Sequence, residues 1–215
     1  GKKFEIPLMV SIGKTNSRET VQTETGIADY LSAYRAFTKI GDFFDINISC
    51  PSAYGGQPFS DPVKLDKLLT EIDKIRTKKP VFLKMPPDLK EKELDKILAI
   101  VKKHRIAGFV CSNLSKSARG GVSGKLMEDL ANRQIKKIYQ KTKGKYVIIG
   151  CGGIFSAEDA YKKIKLGASL VQLITGMIFE GPQVISEINQ GLVKLLKKDG
   201  YKNISQAVGT VISSF

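Results

Sequence analysis

Six short apolar segments recur along this chain, and each ends in polar or glycine-rich residues. Amphipathic, helix-like segments separate them. The apolar segments are residues 6–12, 43–50, 81–85, 108–113, 146–152 and 170–175. This alternation is typical of parallel β/α folds, in which helices join buried strands. The carboxyl ends of such strands carry the chemistry, and here they hold Cys50, Lys84, Asn113, Gly152 and Thr175.

Six strand–helix units are two short of a closed eight-stranded barrel. We predict an incomplete (β/α)8 TIM barrel of about six units, formed by one domain over residues 1–215 and lacking two strands before Gly1. An open doubly wound sheet is the alternative, which we consider weaker because no single switch point in strand order is evident. A helix is expected within residues 17–40, further helices are expected over residues 62–74, 91–105, 130–141, 157–165 and 182–198, and residues 203–215 could add another. Residues 52–62 and 114–124 read as loops.

The composition excludes several classes of protein. No apolar run approaches the ~20 residues of a membrane span, and the three scattered cysteines suit neither a disulfide framework nor a zinc site. We therefore expect no metal and a reducing, cytoplasmic location. The net charge of +14 favours anionic partners, but the lysines are not interleaved with aromatic residues, so we expect no nucleic-acid binding.

Two glycine-rich strand ends predict an anion site. Residues 150–156 (GCGGIFS) and 173–176 (LITG) each follow a buried strand. Glycines let backbone N–H groups approach an anion, and Ser156 can cap the next helix. Because the last two loops of such barrels frequently bind phosphate, we favour phosphate binding over a pair of plain tight turns.

Other strand ends carry candidate catalytic groups. Lys84 interrupts an apolar strand and needs an anionic partner, unless it is an edge lysine that reaches solvent. Cys50 could be a base or an ordinary core thiol. Asn113 offers an amide that both donates and accepts. The only histidine, His104, lies in a basic run and is expected to be solvated, so acid–base work must fall to other groups.

Several motifs, in one order, resemble the dihydroorotate dehydrogenase family. They are residues 47–51 (NISCP), 82–88 (FLKMPPD), 112–113 (SN), 120–124 (GGVSG), 148–154 (IIGCGGI), 167–176 (GASLVQLITG) and 179–182 (FEGP). The last third is most similar to the quinone-linked, membrane-associated class. The resemblance implies an FMN-containing (β/α)8 barrel that oxidises dihydroorotate to orotate in pyrimidine biosynthesis.

The resemblance also implies roles for individual residues. Cys50 would take the C5 proton while C6 gives hydride to flavin N5, and Lys84 would stabilise the anionic reduced flavin. The expected substrate-binding residues are Asn47, Ser52, Asn113 and Leu114. The expected cofactor-binding residues are Ser11, Asn47, Lys84, Ser112, Gly124, Gly152, Gly153, Ile174, Thr175 and Gly176.

The chain departs from the family pattern at three positions. The quinone-linked class usually has serine at position 50, and asparagine is usual at positions 52 and 11, where this chain has Ser52 and Ser11. The family's first two strands and, in the quinone-linked class, a membrane-lying helical pair would precede Gly1. We therefore expect the 215 residues alone not to bind flavin tightly. We also expect quinone as the acceptor and a peripheral place on the inner face of the cell membrane.

Two other functions remain open at this point. One is a different FMN barrel that acts on a pyrimidine-like ring. The other is a non-catalytic barrel that binds phosphorylated ligands or anionic surfaces through its positive charge.

Overall fold

A computed structural model of the chain describes residues 5–117 and 120–211. The chain divides into two compact units, Gly1–Ala107 and Gly108–Phe215. Each unit repeats the same pattern of a strand followed by a helix. The single domain expected over residues 1–215 stays a prediction.

The first unit contains three parallel strands in the order β1-β2-β3. The strands are β1 (Met9–Gly13), β2 (Phe43–Asn47) and β3 (Val81–Lys84). The helices are α1 (Thr23–Phe37), α2 (Pro62–Asp73) and α3 (Glu91–Val101). In the strand register Asn47 pairs with both Gly13 and Lys84. The carboxyl ends of the three strands are therefore level with one another.

Hydrophobic periodicity explains the core of this unit. Alternate strand positions place Ile12, Ile46 and Leu83 in one register row, and each is at most 2% exposed. On α2 the buried residues recur at helical spacing, at Leu65, Leu68, Leu69 and Ile72. Each such buried side chain contributes roughly 1.5–3 kcal/mol. The polar residues at the ends of the strands therefore lie next to a well-packed hydrophobic core.

The second unit has three parallel strands in the order β4-β7-β8 and a two-stranded antiparallel hairpin, β5-β6. Its strands are β4 (Gly108–Cys111), β5 (Ser115–Ser117), β6 (Gly120–Val122), β7 (Val147–Cys151) and β8 (Leu170–Gln172). Its helices are α4 (Glu128–Thr142), α5 (Ala157–Lys165), α6 (Thr175–Glu180) and α7 (Val184–Lys198). A buried cluster of Ile154, Ala160, Val184 and Ile188 packs α5 against α7.

All six predicted strands are present, but parts of the sequence reading were wrong. Residues 114–124, read as a loop, contain the β5-β6 hairpin, and residues 170–175, read as strand throughout, end in the start of α6. Residues 203–211 hold only a short 3₁₀ turn, Ile204–Gln206, and residues 212–215 lie outside the described part.

His104 is not solvated as expected. Its side chain is 7% exposed, and its ring nitrogens lie 2.8 Å from Asp73 Oδ2 and 3.2 Å from Asp66 Oδ1. The reason is that α3 ends at Val101, so His104 lies in the following turn and reaches the carboxylates of α2.

Candidate active site

The end of β2 fixes one group of candidate residues. Asn47, the last residue of β2, accepts hydrogen bonds at Oδ1 from Ser49 N at 3.0 Å and from Ser49 Oγ at 2.7 Å. Its backbone oxygen accepts from the buried Tyr30 hydroxyl at 2.8 Å. With its side-chain oxygen occupied, the amide nitrogen of Asn47 is the group that can serve a ligand. Asn47 is therefore suited to donate to a carbonyl oxygen.

The chain then turns to expose Cys50. Gln57 Nε2 donates to Ser49 O at 2.8 Å and so ties down the backbone just before the cysteine. All three cysteines are free, but only Cys50 is exposed, whereas Cys111 and Cys151 are buried. Ser52 is also exposed. A thiol that solvent reaches can meet a substrate, which a core thiol cannot.

Lys84 ends β3 and is the register partner of Asn47. It is half-buried, and the two residues before it are buried. Its backbone therefore lies at the same strand-end level as that of Asn47. The structure thus brings Lys84 to the same end of the strands as Asn47 and the turn that carries Cys50.

Ser11 and Asp45 form a polar pair in this sheet. Ser11 Oγ donates to Asp45 Oδ1 at 2.7 Å. Sequence analysis overlooked Asp45, although the signal was present: a carboxylate in the middle of an apolar strand, two residues before Asn47 and on the same face. Ser11 is therefore engaged with a carboxylate in this unit.

The second unit contains a narrow cavity that we call the glycine cradle. Its lining residues are Asn113, Gly124, Cys151, Gly152, Gly153, Ile154, Leu173, Ile174, Thr175 and Gly176. These residues lie at or after the carboxyl ends of β4, β7 and β8, or start α6 and the turn before α4. All the cofactor-binding residues predicted in this unit, except Ser112, line this one cavity.

The cradle depends on glycine. Gly152 and Gly153 have φ angles of 90° and 73°, which L side chains rarely adopt. A Cβ on Gly152 would lie 2.5 Å from Ser112 O, and one on Gly176 would lie 2.1 Å from Ile154 O. Only glycine lets these backbone segments approach each other so closely.

Polar groups converge on the cradle. Ser123 Oγ lies 3.1 Å from Thr175 Oγ1 at the start of α6, and Asn113 Oδ1 accepts weakly from Gly124 N at 3.4 Å. Ser112 is fully buried, and its hydroxyl donates to Gln134 Oε1. Leu114 is half-buried after β4. The lining residues of the cavity therefore offer a hydroxyl group and an amide, and none of them is a carboxylate.

An ion-pair network supports the loop between β7 and α5. Glu128 binds Lys125 at 2.8 Å and Lys162 at 2.9 Å, and Lys125 also reaches Asp159 at 2.8 Å. Hydrogen bonds from Lys125 and Lys162 lower the pKa of Glu128 to about 2. Asp159 in turn accepts from Phe155 N at 3.0 Å. The backbone of the cradle is thus fixed between two helices.

Lys163 is a second residue that sequence analysis overlooked. It is fully buried, and its Nζ donates to Asn132 Oδ1 at 2.7 Å. Burial lowers the pKa of its amine to about 8. The burial of Lys163 was not expected, because it lies in a lysine-rich helix and lysines in such runs usually face solvent.

The cradle has features that suit a phosphate group. Backbone that a Cβ would block, two hydroxyl groups and a helix start are features that suit a phosphate monoester. No cluster of His, Cys, Asp and Glu able to hold a metal ion occurs within residues 5–117 and 120–211. None of the helices in these ranges has the length and apolar character needed to cross a membrane.

Parallel strands with helices between them, and a glycine-lined cavity after the last two strands, are features of (β/α)8 barrel proteins. Residues 2–196 match the family model described as dihydroorotate dehydrogenase. The chain belongs to the dihydroorotate dehydrogenase family.

Curated relatives and solved structures agree with this assignment. The chain is 35% identical to a dihydroorotate dehydrogenase (quinone) of Trichodesmium erythraeum and 36% identical to one of Sulfurovum, covering 96% of the chain and 59% of the relative in both comparisons. A crystal structure of ligand-free DHODH from Eimeria tenella superposes with a TM-score of 0.83 at 25% identity, over 95% of this chain and 64% of that one. The predicted fold class, an incomplete (β/α)8 barrel, is confirmed. The chain spans about three fifths of the length of the curated relatives.

Proposed function

We propose that this chain forms the larger part of an FMN-dependent enzyme that oxidises dihydroorotate to orotate in pyrimidine biosynthesis. The observation that carries the proposal is the end of β2, where an exposed thiol at Cys50 follows an asparagine whose oxygen is already occupied. Membership of the dihydroorotate dehydrogenase family supports it.

The residues of the first unit act on the substrate. The thiolate of Cys50 accepts the C5 proton, since a thiolate is the basic form of the side chain. The amide nitrogen of Asn47 donates to a ring carbonyl and orients the substrate, and Ser52 adds a hydroxyl donor. Lys84 supplies a fixed positive charge where negative charge develops.

The residues of the second unit hold the cofactor and complete substrate binding. Ser123 and Thr175 donate to the phosphate, while Gly152, Gly153 and Gly176 let backbone N–H groups reach it. Asn113 and Leu114 contact the substrate. When bound, FMN supplies the two-electron acceptor for the C6 hydride.

Quinone is the proposed electron acceptor. The support is that the curated relatives of Trichodesmium and Sulfurovum are both named dihydroorotate dehydrogenase (quinone). Quinones dissolve in lipid, so a peripheral position on the inner face of the cell membrane is part of the proposal. The net charge of +14 suits an anionic lipid surface, where each basic residue near the surface adds roughly 1 kcal/mol.

Replacing Cys50 tests the proposal. In the protein of full natural length, Cys50→Ala is expected to lower kcat about 10²–10⁴-fold, because it removes a positioned base. Flavin content should not change, since Cys50 lies outside the glycine cradle. Cys111→Ala is the matched control, because that thiol is fully buried and should leave kcat near wild type. Wild-type turnover in Cys50→Ala would refute the role of Cys50.

A further inference from the structure

Asp45 is a carboxylate enclosed in the middle of a sheet. It lies on β2, which pairs on both sides with β1 and β3, and it is 0% exposed. Burying an ionised carboxylate costs several kcal/mol unless other groups compensate for the lost water. The desolvation cost of Asp45, in the central strand of the unit, must therefore be offset by other interactions.

The hydrogen bonds of Asp45 do not supply that compensation. Oδ1 accepts one bond, from the neutral Ser11 hydroxyl at 2.7 Å. Oδ2 has no hydrogen-bond partner among residues 5–117 and 120–211. A carboxylate can accept about four bonds. One bond from a neutral donor therefore leaves most of its negative charge uncompensated.

The register places a cation near this charge. Asp45 pairs with Phe82, and the next pair on the same face, two residues further along both strands, is Asn47 with Lys84. Burial raises the pKa of Asp45, whereas the Ser11 hydrogen bond and the positive charge of Lys84 lower it. Lys84 is thus a cation on the same face of the neighbouring strand, one same-face register pair beyond Asp45.

We propose that Asp45 is a positioning residue for Lys84, holding its ammonium on this face of the sheet and offsetting part of its charge. The inference rests on the proposed function, in which Lys84 stabilises negative charge on the reduced cofactor. A carboxylate below that ammonium weakens the stabilisation. Asp45 would therefore make the bound flavin harder to reduce and so set its midpoint potential.

A purely structural role for Asp45 predicts something different. If Asp45 only joins β2 to β1 through Ser11, its removal changes stability and leaves the flavin potential alone. If it acts through Lys84, its effect on the potential must depend on Lys84. A double-mutant cycle separates the two roles.

The experiment uses the protein of full natural length with FMN bound. Midpoint potentials and FMN dissociation constants are measured for wild type, Asp45→Asn, Lys84→Met and the double variant. Asp45→Asn is expected to raise the ratio of reduced-flavin to oxidised-flavin affinity roughly tenfold, which is about 30 mV for a two-electron couple. In the Lys84→Met background the same change should have at most a third of that effect.

Asp42→Asn is the matched control. It removes one carboxylate charge just before the same strand, but Asp42 is exposed, so water should screen the change and leave the potential unaltered. Asp45→Ala serves as a second variant, which removes the charge without burying an amide donor, and it should show the same shift.

Three results would overturn the inference: an unchanged potential in Asp45→Asn, a full shift that persists without Lys84, or failure of both Asp45 variants to fold. A wild-type protein that binds no FMN would instead refute the proposed function, and the inference with it.

Discussion

Lys163 places an amine in the interior of the second unit, where it donates to the neutral side chain of Asn132. In the unfolded chain this amine has the ordinary lysine pKa, and burial lowers it to about 8 in the folded protein. Between these two values the unfolded state binds more protons than the folded state. The free energy of unfolding must therefore rise with pH in that window.

The predicted gain from Lys163 is about 2 kcal/mol between pH ~7 and pH ~9.5. It is measured as the difference in pH dependence of unfolding free energy between wild type and Lys163→Met, so that other titrating groups cancel. Methionine has no proton to bind, and its curve should lack this rise. Parallel curves for the two proteins would show that Lys163 titrates normally.

Gly153 should tolerate no side chain. A Cβ there would lie 2.7 Å from Glu128 Cα and 3.0 Å from Glu128 N, and backbone cannot move aside as a flexible side chain can. Gly153→Ala should cost about 1–3 kcal/mol of unfolding free energy for this overpacking, beyond the cost of its positive φ.

Gly200→Ala isolates the cost of positive φ, since Gly200 has a φ of 80° and no neighbouring atom within 4 Å of the added Cβ. Gly200→Ala should lower the unfolding free energy by about 1–2 kcal/mol. The two unfolding free energies are measured by chemical denaturation. If Gly153→Ala and Gly200→Ala lost the same amount, the backbone of Glu128 would not crowd the added Cβ at position 153.

At the scale of single elements, α2 begins with a side-chain cap. Asp61 Oδ1 accepts from Val63 N at 3.0 Å and Lys64 N at 3.1 Å, and Pro62 starts the helix. Asp61→Ala should lower the unfolding free energy by about 1 kcal/mol. Asp61→Asn keeps an acceptor oxygen and should change the unfolding free energy by only a few tenths of a kcal/mol. If both variants were equally destabilised, the negative charge of Asp61 rather than its hydrogen bonds would matter.

Sequence patterns located elements well and their ends less well. The prediction for α5, residues 157–165, matches the structure because Ser156 caps its start and Gly167 follows its end. The β5-β6 hairpin was overlooked because its three-residue strands are too short for alternation to show. Helix α6 was overlooked for the same reason, since it has only six residues.

At the scale of the whole chain, the position of the glycine cradle was predictable, because most of its glycines follow two apolar strands, whereas anion binding there stays a prediction. The roles of Cys50 and Lys84 in turnover stay predictions. The burial of Lys163 and His104 was not predictable, because it depends on contacts between residues 31 to 38 positions apart. Local pattern cannot show such contacts.

Anaerobic reduction of the full-length protein by dihydroorotate tests directly whether the protein oxidises this substrate through a bound flavin. We predict that the purified protein carries one FMN per chain and that dihydroorotate, without oxygen or quinone, bleaches the visible flavin absorbance. Addition of quinone should restore it. A protein that holds no flavin, or a flavin spectrum that dihydroorotate leaves unchanged, would contradict the account.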